Sequence, residues 1–209
     1  MFSLREPKTE TIRQFLATQV NLPFSYTEVG QSRHLGGGQP GPRGYRVDHH
    51  RERLGTGAEL FERTRRAITE WRMFSLHWIV LCWPYLRIVP GEVCAVLAQH
   101  LGFWSMNAAR IVYVIDEPDR FGFGYGTLPG HAYRGEERFL VERLKDDSVW
   151  YDVAAFSRPN RWLVWAGLPV ARLLQTRFGP ASAEAVINFL LENRDRSGWA
   201  GLPANDDLA

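Results

Sequence analysis

The chain has 209 residues, 45% hydrophobic and 13% aromatic, with a formal net charge of +2. That is the size of one well-buried domain with room for an extra arm, and arginines spread without a basic block argue against a nucleic-acid partner. Two cysteines, Cys82 and Cys94, are too few for the disulfide framework of a small secreted domain.

The opening MFSLREPKTE lacks a basic-then-apolar leader pattern, and the longest apolar run, Trp78 to Leu86, is interrupted by Pro84 and too short to span a bilayer. A soluble, cytoplasmic protein with no transmembrane segment is expected. Lys8 to Gln19 places Ile12, Phe15 and Leu16 at helical spacing, the pattern of a short amphipathic arm or lid. Leu35 to Gly44, LGGGQPGPRG, reads as a flexible connector. Tyr45 to Leu54 reads as a strand with polar groups on both faces, so one face must be wet or functional.

Thr56 stands three residues before Glu59 as a capping box, and Leu60, Phe61, Thr64, Ala67, Ile68 and Trp71 continue at helical spacing to about Arg72. Glu59 with Arg63 and Glu62 with Arg66 are spaced as surface pairs. From His77 the period becomes two. Strands are expected at His77–Trp83, Val93–His100, Ala109–Asp116, Arg120–Leu128, Arg134–Leu144 and Ser148–Ser157, joined by tight turns into an antiparallel meander. Beyond Pro159 the pattern is helical again, with a kink or interruption at Gly179-Pro180. The organisation expected is an arm and connector over 1–44, a ligand-binding domain over 45–193 and a disordered polar tail over 194–209.

The fold class expected is α+β: one curved antiparallel sheet of about seven strands with the long C-terminal helix across its concave face. Within it, Arg120 to Phe139 alternates aromatics with glycines. Phe121, Phe123, Tyr125 and Thr127 fall on one face, and Gly122, Gly124 and Gly126 on the other. A packed helix or a ligand must approach the bare face closely, and alternation alone does not say which face lines the cleft. Eight tryptophans suit either a roomy apolar interior or a tryptophan-rich core.

Several blocks in one order carry a resemblance: Tyr45-Arg46-Val47-Asp48-His49, Trp71-Arg72-Met73-Phe74, Asn107 to Tyr113, Tyr125 to His131, Arg134 to Phe139, Val149-Trp150-Tyr151-Asp152 and Phe156-Ser157-Arg158-Pro159. From about Leu22 to Phe178 the chain resembles the uncharacterised family DUF1990, of the UPF0548 type. That family looks like a branch of the helix-grip superfamily of START domains, polyketide cyclases and Bet v 1-like ligand carriers (SRPBCC). The resemblance implies a cavity for a hydrophobic or amphipathic small molecule and supplies no catalytic residues. The helix Lys8 to Gln19 lies outside it.

The candidate cleft residues are Asp48, His50, Arg110, Phe123, Tyr125, His131 and Asp152. Asp48 and His50 share a strand face, an arrangement that orients an imidazole with a carboxylate or simply charges an edge strand. Arg110 and Asp152 sit in apolar runs, where a charge is usually paired, with each other or with a ligand's polar end. His131 follows a Leu-Pro-Gly turn, as an exposed loop residue or an acid–base group. Glu136 and Glu137 point apart as strand neighbours and cannot act as paired carboxylates. No spacing suits a metal, a phosphate loop or a covalent nucleophile, so no cofactor or metal is expected.

The leading expectation is therefore a hydrophobic or amphipathic small molecule bound rather than transformed. The alternatives are an enzyme of the cyclase, isomerase or hydrolase kind using His131 or His50 with Arg110, and a ligand-free interaction module. Trp162 and Trp165 either frame the entrance or pack the helix on the sheet.

Overall fold

The computed structural model describes residues 2–36, 38–83, 86–100, 102–160 and 168–192. In chain order the elements are β1 (Phe2–Ser3), α1 (Thr9–Gln19), β2 (Arg46–Thr56), α2 (Ala58–Thr69), β3 (Ile79–Cys82), β4 (Val93–His100), β5 (Phe103–Glu117), β6 (Arg120–Thr127), β7 (Tyr133–Arg143), β8 (Ser148–Pro159) and α3 (Leu168–Glu192). Short 3-10 turns lie at Gln31–His34 and Arg72–Phe74. The strands form one sheet in the order β2-β8-β7-β6-β5-β4-β3, every pairing antiparallel, with β1 attached to the start of β5. Register shifts in β2 after Arg53 and in β5 after Ile111 are the irregularities that bend such a sheet. With α2 and the long α3 packed on one face, this is the helix-grip arrangement.

Alternation on the inner, concave face builds the main core. Phe123 lies 4.8 Å from the Trp71 ring and 5.3 Å from Phe139, and Phe74 lies 5.7 Å from Phe178 of α3. The phenyl and phenol face of β6 is thus the one turned towards the helices.

The opposite face is covered as well, by the segment before β2. Ile12, Phe15 and Leu16 of α1 pack on Ala95, Leu97 and Met106, while Phe24, Tyr26, Leu35, Tyr45 and Val47 pack on Ala154 and Phe156. Tyrosine rings rather than a packed helix meet Gly124 and Gly126 of β6. A Cβ on Gly124 would lie 2.5 Å from the Tyr113 ring, and one on Gly126 would overlap the Tyr26 phenol. These glycines make room for two tyrosines, one from the sheet and one from the N-terminal segment.

Four local expectations are revised. Thr56 does not cap α2: it ends β2 opposite Ser148, and Gly57, at φ 104°, is the N-cap without a side-chain bond. Continuing the ladder uses Thr56 before the helix can. On α2 Arg66 pairs with Glu70 rather than Glu62, and Arg65 pairs with Asp116, because Glu70 and the end of β5 lie within reach of the exposed stripe. β5 begins at Phe103 rather than Ala109, its first residues pairing with β4 through Leu97↔Met106 and Ala98↔Ser105. α3 runs unbroken through Pro180. The polar tail, Trp162 and Trp165 lie outside the described residues.

Gly126→Ala forces the Tyr26 ring off the sheet, and overpacking of this kind costs about 1–3 kcal/mol. Urea unfolding will show the lowered midpoint, whereas Gly91→Ala, in open space, tests positive-φ strain alone.

Candidate functional site

Register across the inner face places Asp48 opposite Ala155, Ala155 opposite Glu137, and Glu137 opposite Tyr125. One residue pair along, Val153, Phe139 and Phe123 form an apolar row that ends on His50, and on the other side lie Ser157 and Gly135. Two strand spacings separate the Asp48 and Glu137 backbones, roughly 10 Å, with only the Ala155 methyl between them. The polar row therefore borders a floor of small residues on one side and an aromatic wall on the other.

Helix α3 is fixed over this face at two points. A Cβ on Gly179 would lie 2.8 Å from His50 Cβ, so the glycine permits contact with β2, and Ser182 Oγ lies 2.7 Å from the Tyr151 hydroxyl. These contacts hold α3 against β2 and β8.

The electrostatics of the row follow from its burial. Burial raises the Glu137 carboxyl to about 7; the Tyr125 hydroxyl, donating to Oε2 at 2.6 Å, acts against this, and the Asp48 charge adds to it. Asp48 is itself raised by burial and drawn back by Arg46, 3.8 Å away. Asp48 ionises first, so its charge is already present when Glu137 titrates. Burial and the Asp48 charge push the Tyr133 hydroxyl up to about 12. Among the described residues neither the Tyr133 hydroxyl nor His50 Nε2 has a hydrogen-bond partner, although Glu52 Oε2 lies 3.5 Å from the latter.

Of the seven residues singled out in the sequence, Asp48, His50, Phe123 and Tyr125 come together on this face. The imidazole of His50 lies by Glu52 rather than being oriented by Asp48. Glu137 and Tyr133 were missed. Glu137 is visible in the sequence only as a neighbour of Glu136, and its relation to Asp48 exists only through the register of β2, β8 and β7.

The other three lie elsewhere. Arg110 is on the outer face, where it donates to the carbonyls of Val20 and Leu22 at 2.8 and 2.9 Å and holds the exit from α1. It does not pair with Asp152, which meets Arg138 at 2.5 Å, His49 at 2.9 Å and Arg51 at 3.2 Å. Arg138 also donates to the Leu35 and Arg33 carbonyls, and Glu136 accepts from Tyr26, Ser32 and the amide of Gly30. Burial alone would raise the Asp152 carboxyl, but the His49 hydrogen bond and the Arg138 charge leave it lowered. His131 is half-buried in the turn after β6, its Nδ1 accepting from the Tyr133 amide; burial lowers its pKa to about 4 and keeps the ring neutral.

A family model described as a domain of unknown function, DUF1990, matches residues 25–185. The chain belongs to the DUF1990 family. The match includes the outer segment from Ser25 onward and leaves α1 ahead of it. This DUF1990 chain is 38% identical over 194 residues to a UPF0548 protein of Deinococcus radiodurans, covering 87% of this chain and 91% of the relative. To a UPF0548 protein of Dictyostelium discoideum it is 30% identical over 212 residues, covering 93% and 98%. Similar solved structures include human STARD10 (9% identity, 91% of this chain and 84% of that one, TM-score 0.47) and the ZhuI aromatase/cyclase of a Streptomyces species (12%, 74% and 98%, TM-score 0.48). Among the described residues no helix is long and apolar enough to cross a membrane, and no group of three or more His, Cys, Asp or Glu is placed to hold a metal.

The two clusters carry opposite pH signatures. Glu137 has a raised pKa, so its protonated form stabilises the fold below about 4.5 and that contribution is lost as pH rises through about 7. His131, with a lowered pKa, opposes this over the same range, so the comparison must be between variants. Glu137→Gln should match the parent near pH 4.5 and exceed it by roughly 1–3 kcal/mol near pH 8, read from urea midpoints at both values. Asp152→Asn leaves Arg138 with an uncompensated buried charge and should cost about 3–5 kcal/mol at neutral pH. Because Asp152 is lowered, its contribution disappears as pH falls below about 3.8, and the variant should lack that acid limb.

Proposed function

We propose that this DUF1990 chain binds a hydrophobic or amphipathic small molecule on the inner face of its sheet, and that binding rather than turnover is its role. The ligand's apolar part lies over the half-buried Ala155 and Ser157, beside the packed Phe123 and Phe139, and its polar end meets Asp48, Glu137, Tyr133 and His50. The observation that carries this reading is the buried Tyr133 Oη, which has no hydrogen-bond partner among the described residues, beside the small residues Ser157 and Gly135. An unsatisfied buried polar atom costs on the order of 1–3 kcal/mol, which a bound molecule would relieve.

An acid–base reading built on His131 and Arg110 loses its geometry, because Arg110 faces outward and His131 gives Nδ1 to the Tyr133 amide. A second reading, proton transfer by Glu137, is favoured by a carboxyl poised at about 7. It uses the same cleft and is separated from binding only by turnover.

Nile red titration, with native mass spectrometry of freshly purified protein, tests the proposal. The parent should bind the dye, and Ala155→Trp, which fills the floor between Asp48 and Glu137, should weaken it by about tenfold or more. A parent that neither binds the dye nor carries a co-purified molecule, or an Ala155→Trp variant with parental circular dichroism and undiminished affinity, overturns it.

A further inference from the structure

Resting on the binding reading above, we infer that the inner row receives the protonated amine of an amphipathic ligand, so that the cleft selects alkylammonium molecules over fatty acids of equal length. An ammonium head offers three N–H donors and no acceptor. The row supplies acceptors: the Asp48 and Glu137 carboxylates on either side of Ala155, and the Tyr133 Oη, which has no hydrogen-bond partner among the described residues. A carboxylate head would instead add a third like charge beside Asp48 and Glu137. The half-buried Ala155 and the partly exposed ring of Phe178 suit an aliphatic or aromatic tail.

The charged groups around the row follow from each element. β2 contributes Arg46, whose side chain is 57% exposed, and Glu52 beside His50. β6 and β8 contribute uncharged side chains, Phe123, Tyr125, Val153 and Ala155. The α2 side contributes Trp71 and Phe74, and α3 contributes Phe178 and Gly179, with Arg177 exposed. Among the described side chains facing the row, the carboxylates Asp48, Glu52 and Glu137 outnumber the Arg46 guanidinium.

One consequence separates this from nonspecific apolar binding. An ammonium beside Glu137 favours the carboxylate, so binding near neutrality converts the carboxylic acid to carboxylate and releases its proton to solvent, the ligand keeping all of its own. With the group raised to about 7, a solution at about pH 6.5 should release roughly 0.7 proton per ligand.

Isothermal titration of the full chain with dodecylammonium chloride and with laurate, in phosphate and in Bis-Tris, reads both quantities. Dodecylammonium should bind about tenfold more tightly than laurate or better, with buffer-dependent heat reporting the released proton. Glu137→Gln should abolish the release, and Asp48→Asn should narrow the preference; parental circular dichroism certifies each variant. Laurate binding as tightly as the amine, or a release unchanged in Glu137→Gln, overturns the inference. If Nile red binds and neither alkyl chain does, the amine preference is wrong and the cleft stands; if none binds, both readings fail.

Discussion

The guanidinium of Arg138 ties three separate stretches of chain together from inside the protein. One of its nitrogens meets Asp152 on the neighbouring strand, and another meets the carbonyls of Arg33 and Leu35. Glu136, two residues earlier on the same outer face of β7, does the complementary work by accepting from Tyr26, Ser32 and Gly30. A cation and an anion in this setting are tolerated only because each is nearly saturated with partners. Among the described residues the N-terminal segment has no regular secondary structure between α1 and β2 apart from the short turn Gln31–His34, and its position follows from these bonds and from the rings of Phe24 and Tyr26.

Strand β7 therefore serves two masters through simple alternation. Its even-numbered residues Glu136 and Arg138 hold the outer cover, while Glu137 and Phe139 face the helices. Displacing either set changes the backbone that carries the other. In the outer network Glu136 and Asp152 are met by protein donors, although Arg138 Nε has no partner among the described residues, and Asp152 is lowered. On the inner face Glu137 is raised by burial, with the Tyr125 hydroxyl donating to it. Carboxylates on the two faces of the sheet thus titrate in opposite directions, according to how many donors and cations the chain brings to them.

Much of the architecture was legible because period two and tight turns are local signals, and the meander from Ile79 to Pro159 follows them closely. The start of β5 was not. Both faces of Ser105 to Ala109 are buried, one under α1 and one towards the core, so the run lacks the alternation of a half-covered strand. Arg110 and Asp152 were recognisable as charges needing partners, but which partners depends on contacts more than a dozen residues away, and residues 24–35 carry no period that would announce a cover. Asp48, His50, Phe123 and Tyr125 could be assigned to shared strand faces. Glu137 could join them only after β8 was known to lie between β2 and β7.

Gly179 has a mechanical meaning beyond its helix. Since its missing side chain lets α3 touch β2 at His50, the distance between helix and edge strand there is set by the smallest residue available. Enlarging it would act as a wedge at a fulcrum, tilting α3 about the Ser182–Tyr151 contact and leaving the outer cover in place. The spacing of helix and edge strand is in that sense a dimension written into a single residue of the helix.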